Sequence, residues 1–261
     1  MLFAVEIGNT NMHVGFFEEK KLCAHFSIGS DAGRSEDEYA WMLSSLSQFH
    51  GGDVERIDSV IIGSVVPSLT RTVKKAIQRI TKAPIMTVGP GIKTGFPIRI
   101  DDPSELGADI AATTAATIRA VGSPAIVADF GTATVVSLID KSGAYLGGSI
   151  LPGIGMSLDA LQNAELLPDV PPKHSVEPLG KNSADCMRTG VLGGQALAVC
   201  GFYDYYVKNY RLPEDTPLVV SGGFAEYLIP YLPENTKHIP LLALKGLQAI
   251  HEINGKRKTT I

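Results

Sequence analysis

The chain of 261 residues contains one short pattern twice, and this repeat constrains its fold more than any other feature. A β-rich run ends in a carboxylate, and a small glycine turn leads into a second run. The two copies read Glu6-Ile7-Gly8-Asn9-Thr10 and Asp129-Phe130-Gly131-Thr132-Ala133. Around each copy, apolar spacing predicts three strands, a helix, a fourth strand and a helix. The sequence therefore indicates an α/β protein of two similar halves, which we place at residues 1–113 and 114–261.

Both turns have the composition of a phosphate-binding site. Glycine permits close backbone approach, amide groups and threonine hydroxyls donate to phosphate oxygens, and the carboxylate can hold hydrated Mg²⁺. One such turn alone is more simply an ordinary hairpin whose acid caps the turn. Two equivalent copies could face each other across a cleft and bind the two ends of a triphosphate, while Gly222-Gly223, after a later strand, approaches the nucleoside.

Composition excludes several other classes of function. The net charge is −4, and the basic residues are scattered, so the electrostatic footprint of a nucleic-acid-binding domain is missing. The three cysteines form no C-x-x-C pair, and their odd number argues against a disulfide framework. No apolar run approaches the roughly 20 residues of a membrane span, and the start lacks the features of a signal peptide. We expect a cytoplasmic protein without nucleic-acid or membrane partners.

One long helix is predicted at residues 183–210. Its apolar residues fall on more than one side, with aromatic side chains clustered toward its end. A helix with apolar faces on opposite sides suggests a partner subunit. We therefore expect this helix, within the second half, to mediate dimerisation.

The chain resembles the type III pantothenate kinase family, within the acetate and sugar kinase and actin superfamily, almost from end to end. The segments that carry the resemblance are Glu6-Ile7-Gly8-Asn9-Thr10-Asn11, Glu105-Leu106-Gly107-Ala108-Asp109, Asp129-Phe130-Gly131-Thr132-Ala133-Thr134, residues 147–153, residues 180–183, Val219-Val220-Ser221-Gly222-Gly223 and residues 244–247. The resemblance implies two ribonuclease H-like halves of the actin-like ATPase type, each a mixed β-sheet flanked by helices, with the nucleotide cleft between them. It also implies a homodimeric transferase that phosphorylates pantothenate to 4'-phosphopantothenate with ATP, the first step of coenzyme A biosynthesis. The implied cofactors are Mg²⁺ with ATP and a monovalent cation, K⁺ or NH₄⁺.

The resemblance also assigns roles to individual residues. Asp109 falls on the position of the general base, which accepts the proton of the primary hydroxyl of the substrate. The substrate-binding residues are Gly107, Ala108, Asp109 and Ile110, and the metal-binding residues are Glu6 and Asp129. The residues assigned to ATP and its phosphates are Gly8, Asn9, Thr10, Asn11, Gly131, Thr132, Ala133, Thr134, Gly222 and Gly223.

Two positions and one segment depart from the family pattern. The segment, residues 161–168, is one residue shorter than in the family and has no Thr or Arg. Glu6 stands where the family has Asp, and Ile110 stands where it has an Arg that would engage the polar end of the substrate. An added methylene can displace a metal-holding carboxylate, and an aliphatic side chain removes an anion contact. Two alternatives to a pantothenate kinase therefore remain open. One is a catalytically impaired paralogue that binds nucleotide and acts through protein contacts, and the other is a kinase for a different small acceptor.

Overall fold

The computed structural model describes residues 1–164, 167–174 and 177–255, and the chain divides into two compact units. Of these described residues, the first unit contains those of Met1–Phe96, Asp102–Ala116 and 243–255, and the second contains those of Pro97–Asp101 and Thr117–Leu242.

The first unit is built on a five-stranded mixed sheet. Its strands are β1 (Leu2–Ile7), β2 (Asn11–Glu18), β3 (Lys21–Gly29), β4 (Ser59–Ser64) and β5 (Ile85–Thr87), in the spatial order β3-β2-β1-β4-β5. Strand β1 pairs antiparallel with β2 and parallel with β4. The helices α1 (Glu36–Phe49) and α2 (Pro67–Ile80) belong to this unit, and α3 (Ala108–Val121) begins in it.

The second unit contains an equivalent sheet. Its strands are β6 (Ala125–Phe130), β7 (Ala133–Ile139), β8 (Tyr145–Pro152), β9 (Leu218–Ser221) and β10 (Thr236–His238), in the order β10-β9-β6-β7-β8. Its helices are α4 (Ile154–Gln162), α5 (Ser183–Arg188), α6 (Gly194–Asn209) and α7 (Ala225–Leu228). In both sheets the first strand lies at the centre, between the second and the fourth. The predicted repeat and the predicted α/β fold class are confirmed.

Apolar burial explains why the first strands lie at the centre of their sheets. On β1, Phe3, Val5 and Ile7 enter the main apolar core of the first unit, and the alternate residues Leu2 and Ala4 are also buried. A strand that is apolar on both faces needs cover on both sides. Helices α1 and α2 provide one cover, and α1 begins at a capping box in which Ser35 and Glu38 satisfy each other's backbone groups.

The last helix, α8 (Leu242–Gly255), lies in the first unit from Ala243 onward, although our division at residue 113 groups it with the second half. Gly246 packs on the Ala112 backbone, so closely that a Cβ would overlap the Ala112 carbonyl. The Gln248 amide donates to the Glu19 carbonyl (2.9 Å). The expected boundary between residues 113 and 114 falls within α3, the helix that the contact division also cuts. Apolar periodicity predicted the helix but could not indicate which sheet it covers.

The predicted helix at residues 183–210 contains an irregularity. Helix α5 leads through a π-helical turn, Thr189–Gly193, into α6. Three glycines, at positions 190, 193 and 194, fall in or beside this turn, where backbone freedom is greatest. The expectation of one regular helix is therefore corrected to two α-helices joined by a π-turn. Across residues 1–164, 167–174 and 177–255, no helix has the length and hydropathy of a membrane span.

Candidate active site

The first candidate phosphate turn joins β1 to β2. The Gly8 N–H donates to the Asn11 carbonyl (3.0 Å), and Asn9 and Thr10 form the exposed tip. A Cβ at Gly8 would lie 2.9 Å from the Asn11 oxygen and 3.6 Å from Glu6 Oε1. The turn therefore requires glycine, and the Glu6 carboxylate lies against it.

Asp109 lies at the same edge of the first unit's sheet. It stands in the first turn of α3, after Gly107, where a Cβ would meet the Asp109 carboxylate and Val65 Cγ1. Val65 follows β4, and its N–H donates to the Ile7 carbonyl (3.1 Å), next to the Gly8 turn. The structure thus brings the predicted base and the first phosphate turn to one sheet edge.

The surroundings of Asp109 suit a proton acceptor. Burial raises the pKa of the Asp109 carboxyl above its usual range, although backbone N–H groups, including that of Ile110 (2.8 Å to Oδ1), oppose this shift. A base whose pKa lies closer to neutrality accepts a substrate proton more readily at physiological pH. The neighbouring Ile110 is half-buried and brings no charge next to Asp109.

The second candidate turn joins β6 to β7. The Gly131 N–H donates to the Ala133 carbonyl (3.1 Å), and Thr132 is exposed at the tip. Thr134, which we expected to donate to phosphate, is fully buried on β7, and its hydroxyl has no hydrogen-bond partner among the described residues. Its register on β7 places it opposite Phe130, inside the unit. Thr132 is therefore the threonine that this turn exposes.

Two glycine segments pack against the second turn. Gly222 adopts a φ of +96° and lies so close to the Phe130 backbone that any Cβ would overlap it. The Gly153 N–H donates to the Thr132 carbonyl (3.1 Å), and Gly153 is the N-cap of α4. Sequence reasoning assigned Gly222 and Gly223 to the nucleotide but gave Gly153 no site role. The signal that could have identified Gly153 is the Pro152-Gly153 pair, because β8 ends at Pro152 and α4 begins directly after Gly153.

The candidate metal-binding residues are single carboxylates. In the described part of the chain, no group of three or more His, Cys, Asp or Glu side chains could hold a metal ion. Mg²⁺ bound with a nucleotide needs only one or two protein carboxylates, because phosphates and water complete its coordination. Glu6 and Asp129, each near the end of the first strand of its unit, fit that more limited role.

Two solved structures have a similar fold. A Baf family transcriptional activator from Campylobacter jejuni is 20% identical, with a TM-score of 0.60 over 97% of this chain and 99% of that one. The activator of 2-hydroxyisocaproyl-CoA dehydratase from Clostridium difficile is 12% identical, with a TM-score of 0.54 over 100% and 98% of the two chains. These similarities concern the fold alone, and they agree with a two-unit α/β fold built on two equivalent five-stranded mixed sheets flanked by helices.

Sequence comparisons identify the family. The family described as type III pantothenate kinase matches residues 2–205. The type III pantothenate kinase of Moorella thermoacetica is 37% identical over 97% of this chain and 100% of its own length. That of Rubrobacter xylanophilus is 36% identical over 98% of this chain and 99% of its own length. The chain belongs to the type III pantothenate kinase family.

Proposed function

We propose that the protein transfers the γ-phosphoryl group of ATP to the primary hydroxyl of pantothenate, the first step of coenzyme A biosynthesis, in the cytoplasm. Membership of the family is the basis for this reaction. The observation that supports its chemistry is the half-buried Asp109, which lies at the same edge of the sheet as the Gly8 turn. Nothing in the comparisons favours a nucleotide-binding paralogue or a kinase for another acceptor.

In this mechanism Asp109 accepts the hydroxyl proton as the substrate oxygen attacks the γ-phosphorus. A new oxygen–phosphorus bond forms, and the bond to the bridging oxygen of ADP breaks, with its electron pair leaving on the β-phosphate. The barrier is lowered mainly by positioning and charge neutralisation. Gly107 and Ala108 set the backbone from which Asp109 extends. Ile110 contributes an apolar contact to the acceptor.

The two turns supply the donors for the phosphate groups. The turn residues Asn9, Thr10 and Asn11 in the first unit, and Thr132 and Ala133 in the second, would donate to phosphate oxygens. Gly8 and Gly131, whose own N–H groups close the turns, would let the phosphates approach the backbone. Gly222 and Gly223 would admit the nucleoside close to the backbone. Glu6 and Asp129 would hold Mg²⁺ through water, and the ion, together with K⁺ or NH₄⁺, would supply charge neutralisation when bound.

The pH dependence of turnover should follow the protonation of the Asp109 carboxylate. Only the carboxylate accepts a proton, so kcat/KM for pantothenate falls as the pH drops through the pKa of Asp109. Because burial raises this pKa, we expect the fall to begin above the value of about 3.9 typical of an exposed aspartate. A steady-state profile between about pH 4 and pH 8 measures it. A profile that stays flat down to the pKa of an ordinary aspartate would contradict this role.

The apolar surface of α4 and α6 supports a homodimer. Leu197 and Tyr205 on α6 are 74% and 59% exposed, and Met156 on α4 is 48% exposed. Between these helices a groove of about 580 Å³ is lined by Leu151, Pro152, Met156, Ser157, Ala160, Leu161, Gly190, Val191, Gly194, Gln195 and Ala198. Exposed apolar side chains beside a groove lined mainly by apolar and small residues are typical of a helix-packing interface.

We expect Leu197→Glu to convert the dimer to a monomer, because association would bury an unpaired charge in the interface. Light scattering coupled to gel filtration at fixed concentration measures the mass. Phe49→Glu is the matched control, because Phe49 is 82% exposed on α1 in the other unit. A Leu197→Glu protein that remains dimeric, or a wild-type monomer, would refute the proposed interface.

A coupled assay of ADP release with Mg²⁺ and K⁺, with and without pantothenate, tests the function. We expect ADP release that depends on pantothenate. ATP binding without such turnover would favour the paralogue, and turnover with a different acceptor would favour the other alternative.

A further inference from the structure

Ser30 contacts the first phosphate turn at two points. It directly follows β3, and its hydroxyl donates to the Gly8 carbonyl (2.7 Å). Its backbone N–H donates to the Thr10 carbonyl (2.9 Å). One residue, 22 positions from Gly8 along the chain, thus holds carbonyl groups on both sides of Asn9.

These two hydrogen bonds orient the turn. The peptide between Gly8 and Asn9 is trans. In a planar trans peptide the N–H points away from the carbonyl. With the Gly8 carbonyl directed at Ser30, the Asn9 N–H is directed to the opposite side. The Ser30 contacts also draw carbonyl oxygens, which would repel an anion, toward the protein.

The segment that contains Ser30 is fixed by hydrogen bonds between the next residue and Tyr39. The next residue, Asp31, donates its N–H to the Tyr39 hydroxyl (2.9 Å), and that hydroxyl donates to the Asp31 carbonyl (2.9 Å). Tyr39 lies on α1 and is fully buried in the core. The segment that carries Ser30 is therefore fixed to the apolar core of the first unit.

We infer that Ser30 is a positioning residue for the nucleotide phosphates, acting through the Gly8-Asn9-Thr10 turn. This inference rests on the proposed function, because it assumes that the turn binds phosphate oxygens. Ser30 needs no contact with ATP. It keeps the turn in the conformation in which amide N–H groups, rather than carbonyl oxygens, meet the ligand.

Ser30→Ala tests the inference by removing the hydroxyl and leaving the Gly8 carbonyl without this donor. We expect the KM for ATP to rise about tenfold, the KM for pantothenate to stay unchanged, and Ser30→Thr, which keeps a hydroxyl, to restore the ATP value. Tyr39→Phe should move the same parameter in the same direction. The matched control is Ser47→Ala on α1, which removes a buried bond from a serine hydroxyl to the Leu43 carbonyl (2.5 Å) away from the turn.

The melting temperature separates positioning from simple destabilisation. If Ser30→Ala and Ser47→Ala lower the melting temperature by the same amount and have the same KM for ATP, the inference is overturned. Equal increases in the KM values for ATP and pantothenate would also overturn it.

Failure of the proposed function is a different result, because the wild-type protein would then show no pantothenate-dependent turnover. ADP binding measured by calorimetry would still report the effect of Ser30 on the turn in that case, with weaker binding to Ser30→Ala expected and equal binding overturning the inference.

Discussion

Replacement of Asp109 by Asn should lower kcat by about 10²–10⁴-fold, the usual contribution of a positioned general base. Asn has nearly the same shape, and its oxygen can still accept the hydrogen bond that Ile110 N–H donates to Oδ1 in the wild type. It cannot take the substrate proton. Because burial disfavours the Asp109 charge, we expect the neutral variant to melt no lower than the wild type. Steady-state kinetics and a thermal melt measure the two effects.

Asp102→Asn is the control for this variant. Asp102 is an exposed carboxylate in the same segment, and it accepts hydrogen bonds from Ser104 at the start of a short 3-10 turn. Its replacement should leave kcat within a few-fold of the wild type. An Asp109→Asn enzyme that also stays within a few-fold would show that another group accepts the proton.

Gly246→Ala should cause the largest loss of stability among single-methyl additions to α8. The new Cβ would overlap the Ala112 carbonyl, a backbone atom of α3 that cannot move aside as a side-chain end can. We expect the free energy of unfolding to fall by about 3 kcal/mol or more, with a drop in melting temperature of about 10 °C. Because α3 carries Asp109, turnover should fall as well.

Gly255→Ala is the matched control on the same helix. Among the described residues, the nearest side-chain atom to a Cβ there is His251 Cε1, at 4.0 Å, so alanine fits without displacing it. We expect a change in melting temperature close to zero. Equal stability of Gly246→Ala and Gly255→Ala would contradict the close packing of α8 on α3.

The sheets and their repeat could be predicted from the sequence because each depends on local patterns. The apolar runs of β1 and β6, and the carboxylate and glycine near the end of each, are visible in a few residues. The equivalent strand order then follows from repeating one pattern. Asp109 could be singled out only through the family resemblance, and the structure was needed to show that its carboxylate lies against Gly107, next to which Val65 also lies.

Other features depend on contacts between distant residues. The placement of α8 depends on Gly246 meeting Ala112, and the support of the Gly8 turn depends on Ser30. The burial of Thr134 follows from its register opposite Phe130, which places its side chain inside the unit. No local pattern in the sequence contains this information, because side-chain spacing gives periodicity but not the partner.

Identification of the phosphorylated product tests the proposed reaction most directly. The purified protein would be incubated with ATP, Mg²⁺, K⁺ and pantothenate, and the product examined by mass spectrometry and phosphorus NMR. We predict pantothenate carrying one phosphoryl group as a monoester on its primary hydroxyl, formed by the wild type and lost in Asp109→Asn. Absence of this product from a folded wild-type protein that binds ATP would contradict the proposed function.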